Sequence, residues 1–273
     1  MSLFVCPLCG KALLAEENRR VCRNGHSFDL AREGYVNLLL SQKSRAAHHG
    51  DDAKMVTARR RFLERGFYAP LRDALTALCL DRAEKGVRLL DAGCGEGYYT
   101  AAAVSALEAA GLAPEAAGAD ISREAVRYAA KRDRSREWAV ASVFRLPVAA
   151  KRIDLLLSLF APKAPEEWAR VIRRGGTLCR AVPLADHLFE LKEAVYDRPY
   201  KDTPEPTALA GFRLIRTERV RFSAALPDNA AIADLFAMTP YYYRTSAADR
   251  AKLDALPALT VTADCALLVY ERE

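Results

Sequence analysis

The sequence predicts an α/β fold: a doubly wound domain with a mostly parallel sheet, preceded by a small metal-binding domain. Three observations carry this. From Val87 onward, apolar strand patterns alternate with helix patterns. The turn between the first such strand and helix reads Asp91-Ala-Gly93-Cys-Gly95-Glu-Gly97. Ahead of both, Cys6, Cys9, Cys22 and His26 fall within one short N-terminal stretch.

The chain has 273 residues, 51% of them apolar and 28% charged, which suits an ordinary globular protein. No apolar run reaches the 18 residues or so that a membrane span needs, and no basic-then-apolar leader opens the chain. Seven cysteines is an odd count, and Cys79, Cys94, Cys179 and Cys265 are singletons in apolar segments. That usage points to a reducing cytoplasm, where a CxxC pair more often holds metal than forms a disulfide. The net charge of +6 is unevenly spread: residues 1–80 carry 13 Lys and Arg against 8 Asp and Glu, the remainder 28 against 27. A basic N-terminal third suits a face that meets phosphates, and equally a solvated surface.

In the N-terminal stretch, residues 1–36, twelve residues separate the Cys6/Cys9 pair from Cys22, and three more lead to His26. Structural zinc takes four such ligands from two tight turns, and a full protein set leaves no open catalytic position. Gly10 and Gly25 supply permissive backbone at those turns. A segment this short needs the metal to fold. A thioredoxin-type redox CxxC would need a βαβ context, which is missing.

Residues 37–80 read as a linker followed by helices. Ser41–Asp52 is polar loop, with His48 and His49 in solvent. In "AKMVTARRRFLERGFY", Met55/Val56 and Phe62/Leu63 flank Arg59, Arg60 and Arg61, giving a helix with one apolar and one basic face. Pro70 opens the next helix, with Leu71, Leu75, Leu78 and Cys79 on one side.

Residues 81–273 hold the α/β pattern. "VRLLD" is a strand, and an alanine-rich helix runs from about Tyr98 to Ala110 and stops at Gly111. "EAAGAD" is the second strand, with Ser122 capping the next helix. "RIDLLLSLF" is apolar throughout, as a strand buried on both faces should be. "APEEWARVIRRGG" reads as a helix stopped by Gly175-Gly176, "TLCRAV" as a strand, and "TVTADCALLVYE" closes the sheet.

The glycines of the Asp91–Gly97 turn let backbone approach a ligand between a strand and a helix N-terminus. Dinucleotide sites use a related turn, but the spacing here is not G-x-G-x-x-G. Asp120, ending the second strand 23 residues after Gly97, is placed to accept both hydroxyls of a ribose and to reject a phosphorylated one.

The turn together with Asp120 resembles the S-adenosylmethionine site of Rossmann-like class I methyltransferases. In that family the segment matching "ASVFRLP" (Ala141–Pro147) passes the adenine, and Ser142 stands where many members carry an acid. The full set of motifs is more specific. "CPLC…CRNGHSFDLAREGYVNLL", "GDDAKMVTARRRFLERGFYAPL", "LDAGCGEGYYT", "LFAPK", "DHLFELKEAVY" and "MTPYYYR" resemble, in order and over nearly the whole chain, the bacterial large-subunit ribosomal RNA guanine-N1-methyltransferases of the RlmA type. The resemblance implies transfer of a methyl group from S-adenosylmethionine to N1 of a guanine in a hairpin of 23S ribosomal RNA. It implies zinc on Cys6, Cys9, Cys22 and His26. It also implies cofactor contacts from Tyr68, Glu96, Gly97 and His187 beside the turn residues Asp91, Gly93 and Gly95, and pairing into a homodimer. The segment before His187 reads Pro-Leu-Ala-Asp, without the glycine the family pattern leads one to expect, so His187 is either a cofactor contact or a surface residue at a helix start.

Related enzymes line the acceptor pocket with the segment matching Ser158–Lys163. There Phe160 is either a stacking surface for a base or core, and Pro162 brings backbone carbonyls. Tyr241, Tyr242 and Tyr243 form a stacking wall, a lid or a buried strand end. Arg59–Arg61 and the zinc domain are the candidates for gripping the RNA backbone. The rival functions are a methyltransferase for small molecules and a zinc-dependent RNA-binding factor without catalysis; intact Asp91, Gly93, Gly95, Gly97 and Asp120 argue against the second.

Overall fold

The computed structural model describes residues 2–40 and 50–273; the polar-loop reading of 41–49, with His48 and His49, lies outside the described residues. The chain opens with a three-stranded antiparallel sheet of β1 (Leu13–Glu16), β2 (Arg19–Cys22) and β3 (Ser27–Asp29). The next strand, β4 (Val36–Asn37), leaves this sheet and pairs in parallel with Ala139 and Val140 of the large sheet. The boundary read at residue 36 therefore falls inside a strand of the large sheet.

Two helices follow, α1 (Ala53–Glu64) and α2 (Ala69–Arg82). Asp52 caps α1 by accepting the Met55 N–H at 2.9 Å, and Met55, Val56, Ala58, Phe62 and Leu63 are its buried stripe. Then come β5 (Arg88–Ala92), α3 (Tyr98–Ala109), β6 (Glu115–Asp120), α4 (Arg123–Arg132), β7 (Glu137–Val140), β8 (Ile153–Leu159), α5 (Pro165–Val171) and β9 (Ile172–Pro183). The chain ends with α6 (Phe189–Val195), β10 (Phe212–Leu226), α7 (Asn229–Ala237), α8 (Ala247–Asp254) and β11 (Leu259–Arg272).

The eight-stranded sheet runs β10-β11-β9-β8-β5-β6-β7-β4. It is parallel from β9 to β4, while β11 is antiparallel to both β9 and β10. The C-terminal strand thus lies inside the sheet, and β10 is the edge. Helix α5 is shorter than its sequence suggests: β9 already starts at Ile172 and runs through Gly175-Gly176. A Cβ on Gly176 would sit 2.7 Å from Ile172 Cγ2, 2.9 Å from the Arg173 carbonyl oxygen and 3.1 Å from the Asp154 carbonyl oxygen, so the tight turn of the strand's own start, with the adjacent strand behind it, requires that glycine.

Successive residues of β5 and β8 bury opposite faces of the sheet, as their unbroken apolar runs require. Leu89, Leu155 and Leu157 pack with α2 and α3; Leu90 and Leu156 pack with Trp168 of α5. The N-terminal domain joins the second of these cores through Leu3, Phe4, Leu13 and the buried Cys6 and Cys22. It is tied there by the Val5 N–H on the Pro147 carbonyl (2.7 Å) and the Leu3 N–H on the Glu137 carboxylate (2.8 Å). Among the described residues no helix is long and apolar enough to cross a membrane.

Candidate active site

The metal ligands come together as their spacing requires. The Cys6–Gly10 turn is closed by the Gly10 N–H on the Cys6 carbonyl (2.8 Å), and the Cys22–Gly25 turn by the Gly25 N–H on the Cys22 carbonyl (2.9 Å). Gly10 and Gly25 both hold positive φ, 70° and 79°. Cys6 Sγ and Cys22 Sγ each lie 3.4 Å from His26 Nδ1, and Cys9 Sγ lies 3.6 Å from Cys22 Sγ. All four ligand atoms fall within 4.8 Å of one another. A tetrahedral zinc with its usual bonds of about 2.0–2.3 Å needs ligand–ligand edges of roughly 3.4–3.8 Å. The cluster fits one ion with no vacant position for catalysis.

The second site opens where the parallel strands end, at the crevice expected of such sheets. A cavity of about 470 Å³ is lined by Asp91, Gly93, Gly95 and Glu96 of the glycine turn, Asp120 and Ile121 after β6, Ser142–Phe144 after β7, and Leu159–Pro162 after β8. Gly50, Asp51 and Arg59 close one side, with Tyr98 and Tyr99 behind the turn. Gly93 holds φ 93°, and a Cβ there would sit 2.5 Å from the Ala161 Cβ, so a side chain would obstruct the junction of turn and cavity wall.

Three carboxylates face this space, Asp91 and Glu96 buried and Asp120 half-buried. Asp91 accepts the Thr100 hydroxyl at 2.5 Å through Oδ2, while its Oδ1 has no protein partner. Burial, with some repulsion from Asp120, lifts its pKa to about 7 against that hydrogen bond. Glu96 is buried and held by Arg132, whose Nε lies 3.0 Å from Oε2; its Oε1 is also unpartnered, and burial outweighs the arginine in raising its pKa. Asp120 accepts the Gly95 N–H at 2.9 Å and the Ser122 N–H at 2.8 Å, and burial still raises its pKa. A cavity with three confined carboxylates, two bearing unpartnered oxygens, is built for a ligand that brings positive charge and hydrogen-bond donors. S-Adenosylmethionine, with its sulfonium, ammonium and ribose hydroxyls, fits this donor set.

The remaining candidates divide. Phe160 follows directly on β8 with φ 53°, is 44% exposed and lines the cavity beside Pro162; it is not core. A left-handed phenylalanine costs about 1–2 kcal/mol, and here the conformation points the ring into open space. Tyr68 and His187 do not line the cavity but stand one side chain deeper. His187 is buried and stacks against Phe160, with ring centroids 6.1 Å apart. The Asp264 N–H donates to its Nδ1 at 3.2 Å, its Nε2 faces the buried Tyr68 hydroxyl at 3.5 Å, and burial lowers its pKa to about 4. His187 is therefore a neutral buried support, not a surface histidine. Gly97, at φ 78°, starts α3 and packs on Ala129 and Trp138 outside the cavity lining.

Tyr241 and Tyr242 point elsewhere. Tyr241 donates to Asp202 at 3.1 Å beside the buried Lys192, while Tyr242 packs on Phe236 and its hydroxyl meets Lys54. Tyr243 is exposed and meets Asp52. Nor do the three arginines form one open basic face. Arg59 pairs with Asp51 at the cavity edge and Arg61 forks onto Asp234 (2.9 Å from Nε to Oδ2); Arg60 pairs with Glu64 at 2.9 Å.

Sequence reasoning missed Asp51, Phe144, Tyr98 and Tyr99 in the cavity. "GDD" and "GYYT" marked two of these places, but nothing local assigns their side chains to a ligand.

A zinc-ribbon family profile described as "RlmA, N-terminal" matches residues 4–47, and a methyltransferase-domain profile matches residues 90–179. The chain is 36% identical over 242 residues to the 23S rRNA (guanine(748)-N(1))-methyltransferase of Streptomyces fradiae, covering 86% of this chain and 84% of that protein. It is 33% identical over 278 residues to YxjB of Bacillus subtilis (strain 168), covering 98% and 96%. A protein of Micromonospora griseorubida is 38% identical over 206 residues, covering 68% and 67%. The names of these last two give them the same 23S rRNA (guanine-N(1)-)-methyltransferase activity provisionally.

Proposed function

The chain belongs to the family of 23S rRNA (guanine-N1-)-methyltransferases, and we propose that the cavity at the ends of β5, β6, β7 and β8 is where its reaction takes place. The enzyme transfers a methyl group from S-adenosylmethionine to N1 of a guanine in 23S ribosomal RNA, and one structural zinc holds its N-terminal domain. The single observation that carries this is the family match across almost the entire chain, zinc ribbon and methyltransferase domain together.

When bound, S-adenosylmethionine supplies a methyl group on a positively charged sulfur. Asp120 receives the ribose hydroxyls through the lone pairs left beside the Gly95 and Ser122 N–H groups. Asp91 and Glu96, whose unpartnered oxygens lie buried beneath the cavity surface, set the negative potential that the ammonium end meets. Together the three carboxylates favour a charged sulfonium over the neutral thioether that remains after transfer, which aids product release. Ser142, Val143 and Ile121 form the wall for the adenine.

Phe160 stacks the target guanine, with Pro162 and the cavity rim closing around its edge. N1 lies on the Watson–Crick edge, so the guanine must be unpaired or turned out of its helix to reach the cavity. The N1–CH3 bond forms as the S–CH3 bond breaks and the N1 proton leaves to water, so alignment of N1 with the methyl and the sulfur is the main contribution asked of the protein. The cysteines agree with a cytoplasmic site of action: all seven are free thiols or zinc ligands. Pairing of two chains, which the family resemblance implies, is a further part of the proposal, tested by light scattering.

The test is methyl transfer itself. Purified enzyme, labelled S-adenosylmethionine and 23S rRNA should give 1-methylguanosine on nucleoside digestion and mass spectrometry. Label recovered in another nucleoside, or none with rRNA and some with a small molecule, would overturn the reading.

A further inference from the structure

Arg59 pairs with Asp51 at the cavity edge and Arg61 forks onto the buried Asp234, so the basic run of α1 does not form one open face by itself. Resting on the RNA substrate argued above, we propose that the exposed side of α4, extended by Arg60 of α1 and Arg32 of the segment before β4, is a phosphate-binding path for the rRNA beside the cofactor cavity.

Arg123, Arg127 and Lys131 are four residues apart, so they form one line along α4. At about 1.5 Å per residue the line is roughly 12 Å long, enough to meet two or three successive phosphates of a strand. Its middle is a half-buried tyrosine, Tyr128, over whose ring three cations converge: Arg60 at 5.0 Å, Arg127 at 5.2 Å and Lys131 at 5.6 Å. One ring is weak compensation for three neighbouring like charges, and an anion laid across them would relieve the repulsion.

The carboxylates nearby do not consume this charge. Arg60 is held by Glu64 and Arg127 by Glu124, both as solvent-accessible pairs of the kind that contribute little and exchange readily. Among the described residues Lys131 makes no ion pair, and its ammonium meets only the Tyr128 ring. Beyond Arg127 the path enters a groove lined by Arg32, Tyr35, Arg123 and Glu33, where Arg123 Nε donates to the Tyr35 hydroxyl at 2.9 Å. Five cations on this path (Arg32, Arg60, Arg123, Arg127, Lys131) face three carboxylates (Glu33, Glu64, Glu124).

Position completes the case. Helix α4 is capped by Ser122, two residues after the cavity's Asp120. Its other neighbour, the segment Ala31–Tyr35, is the chain leaving the zinc domain. The N-terminal end of α4, with Arg123, therefore lies beside both the cavity and the segment leaving the zinc domain, and the line of cations leads from there to Lys131.

The experiment compares wild type with Arg127→Ala/Lys131→Ala, and with the charge-reversed Arg127→Glu/Lys131→Glu, all as zinc-loaded full chains. Fluorescence anisotropy follows binding of a labelled 23S rRNA hairpin at salt concentrations from 50 to 300 mM, and calorimetry follows S-adenosylmethionine. The expected result is a loss of about tenfold in RNA affinity for the alanine pair, more for the glutamates. The slope of log affinity against log salt should shrink by about 1.5, two contacts at 0.7–0.9 each. Unchanged cofactor affinity shows that the variants are folded. Variants that match wild type in affinity and slope overturn the path while the enzyme's activity stands. A wild type that binds no rRNA overturns the substrate reading and the path with it. A loss seen with assembled ribosomal subunits but not with naked RNA would assign the stripe to a protein partner, and overturns it too.

Discussion

The ring of Phe160 lies over the imidazole of His187 at 6.1 Å and an interplanar angle of 27°, so a buried, uncharged histidine backs an exposed phenylalanine. The histidine is fixed from behind by the Asp264 N–H, and the phenylalanine by a left-handed backbone. A flat apolar surface is thereby held at the rim of a cavity whose depth is lined by carboxylates. That division between stacking rim and charged interior is what base methylation from a cationic donor requires.

Replacing Phe160 with alanine removes the stacking surface. The kcat/KM for rRNA is expected to fall about 10- to 100-fold, since base–aromatic stacking contributes about 1–3 kcal/mol. The dissociation constant for S-adenosylmethionine should stay within about twofold of wild type. Steady-state kinetics with both substrates varied checks this, and undiminished activity with alanine would remove Phe160 from the acceptor site.

Asp120 has two tasks, holding the Gly95 and Ser122 N–H groups and receiving the ligand. Asp120→Ala leaves both donors without their acceptor, at a cost of about 1–3 kcal/mol each. Cofactor affinity is expected to fall by at least tenfold and the free protein to lose stability, as read by calorimetry and thermal melts. An Asp120→Ala variant that binds the cofactor normally would show that the ribose is held elsewhere.

Asp91 makes the unliganded protein pH-sensitive. Its carboxyl titrates near 7 when folded and near 3.9 when unfolded, so between these values the native state binds the extra proton. Stability therefore falls as pH rises from about 4 to about 7. Asp91→Asn should abolish that loss: equal to wild type near pH 3, it should become more stable by up to about 4 kcal/mol at pH 8. The same variant should bind S-adenosylmethionine more weakly. Urea titrations at several pH values decide it, and a stability difference independent of pH would contradict the assignment.

Chelation should unfold the N-terminal domain, because its short strands enclose little core of their own and structural zinc supplies much of such a domain's folding free energy. One zinc per chain is expected by atomic absorption, and Cys22→Ser should bind it weakly. Because Phe4 and Leu13 share a core with Leu90 and Trp168, metal loss should also lower the melting temperature of the large domain. A melting curve indifferent to chelator would show that the two domains are energetically separate.

The parts of the fold legible in the sequence are those whose signals are local. The Cys6–His26 spacing, the Asp91–Gly97 turn and the unbroken apolar run of β8 each state their structure within a few residues. What was not legible depends on distant partners. The two residues of β4 join the large sheet only because Ala139 and Val140 offer an edge. Strand β10 is an edge whose outward residues are charged, so its pattern is diluted. Arg59 and Arg61 read as a basic face because their acceptors include a residue 173 positions away, Asp234. Phe160 follows directly on a buried strand, and only the left-handed turn at that residue distinguishes a stacking surface from core.

The most direct measurement is primer extension across 23S rRNA incubated with the purified enzyme, with and without S-adenosylmethionine, since a methyl on guanine N1 blocks pairing and stops reverse transcriptase. The predicted result is one new stop next to a single guanine, present only with the cofactor and absent with Asp120→Ala. No cofactor-dependent stop, from an enzyme shown to bind S-adenosylmethionine, would contradict N1 methylation of this RNA.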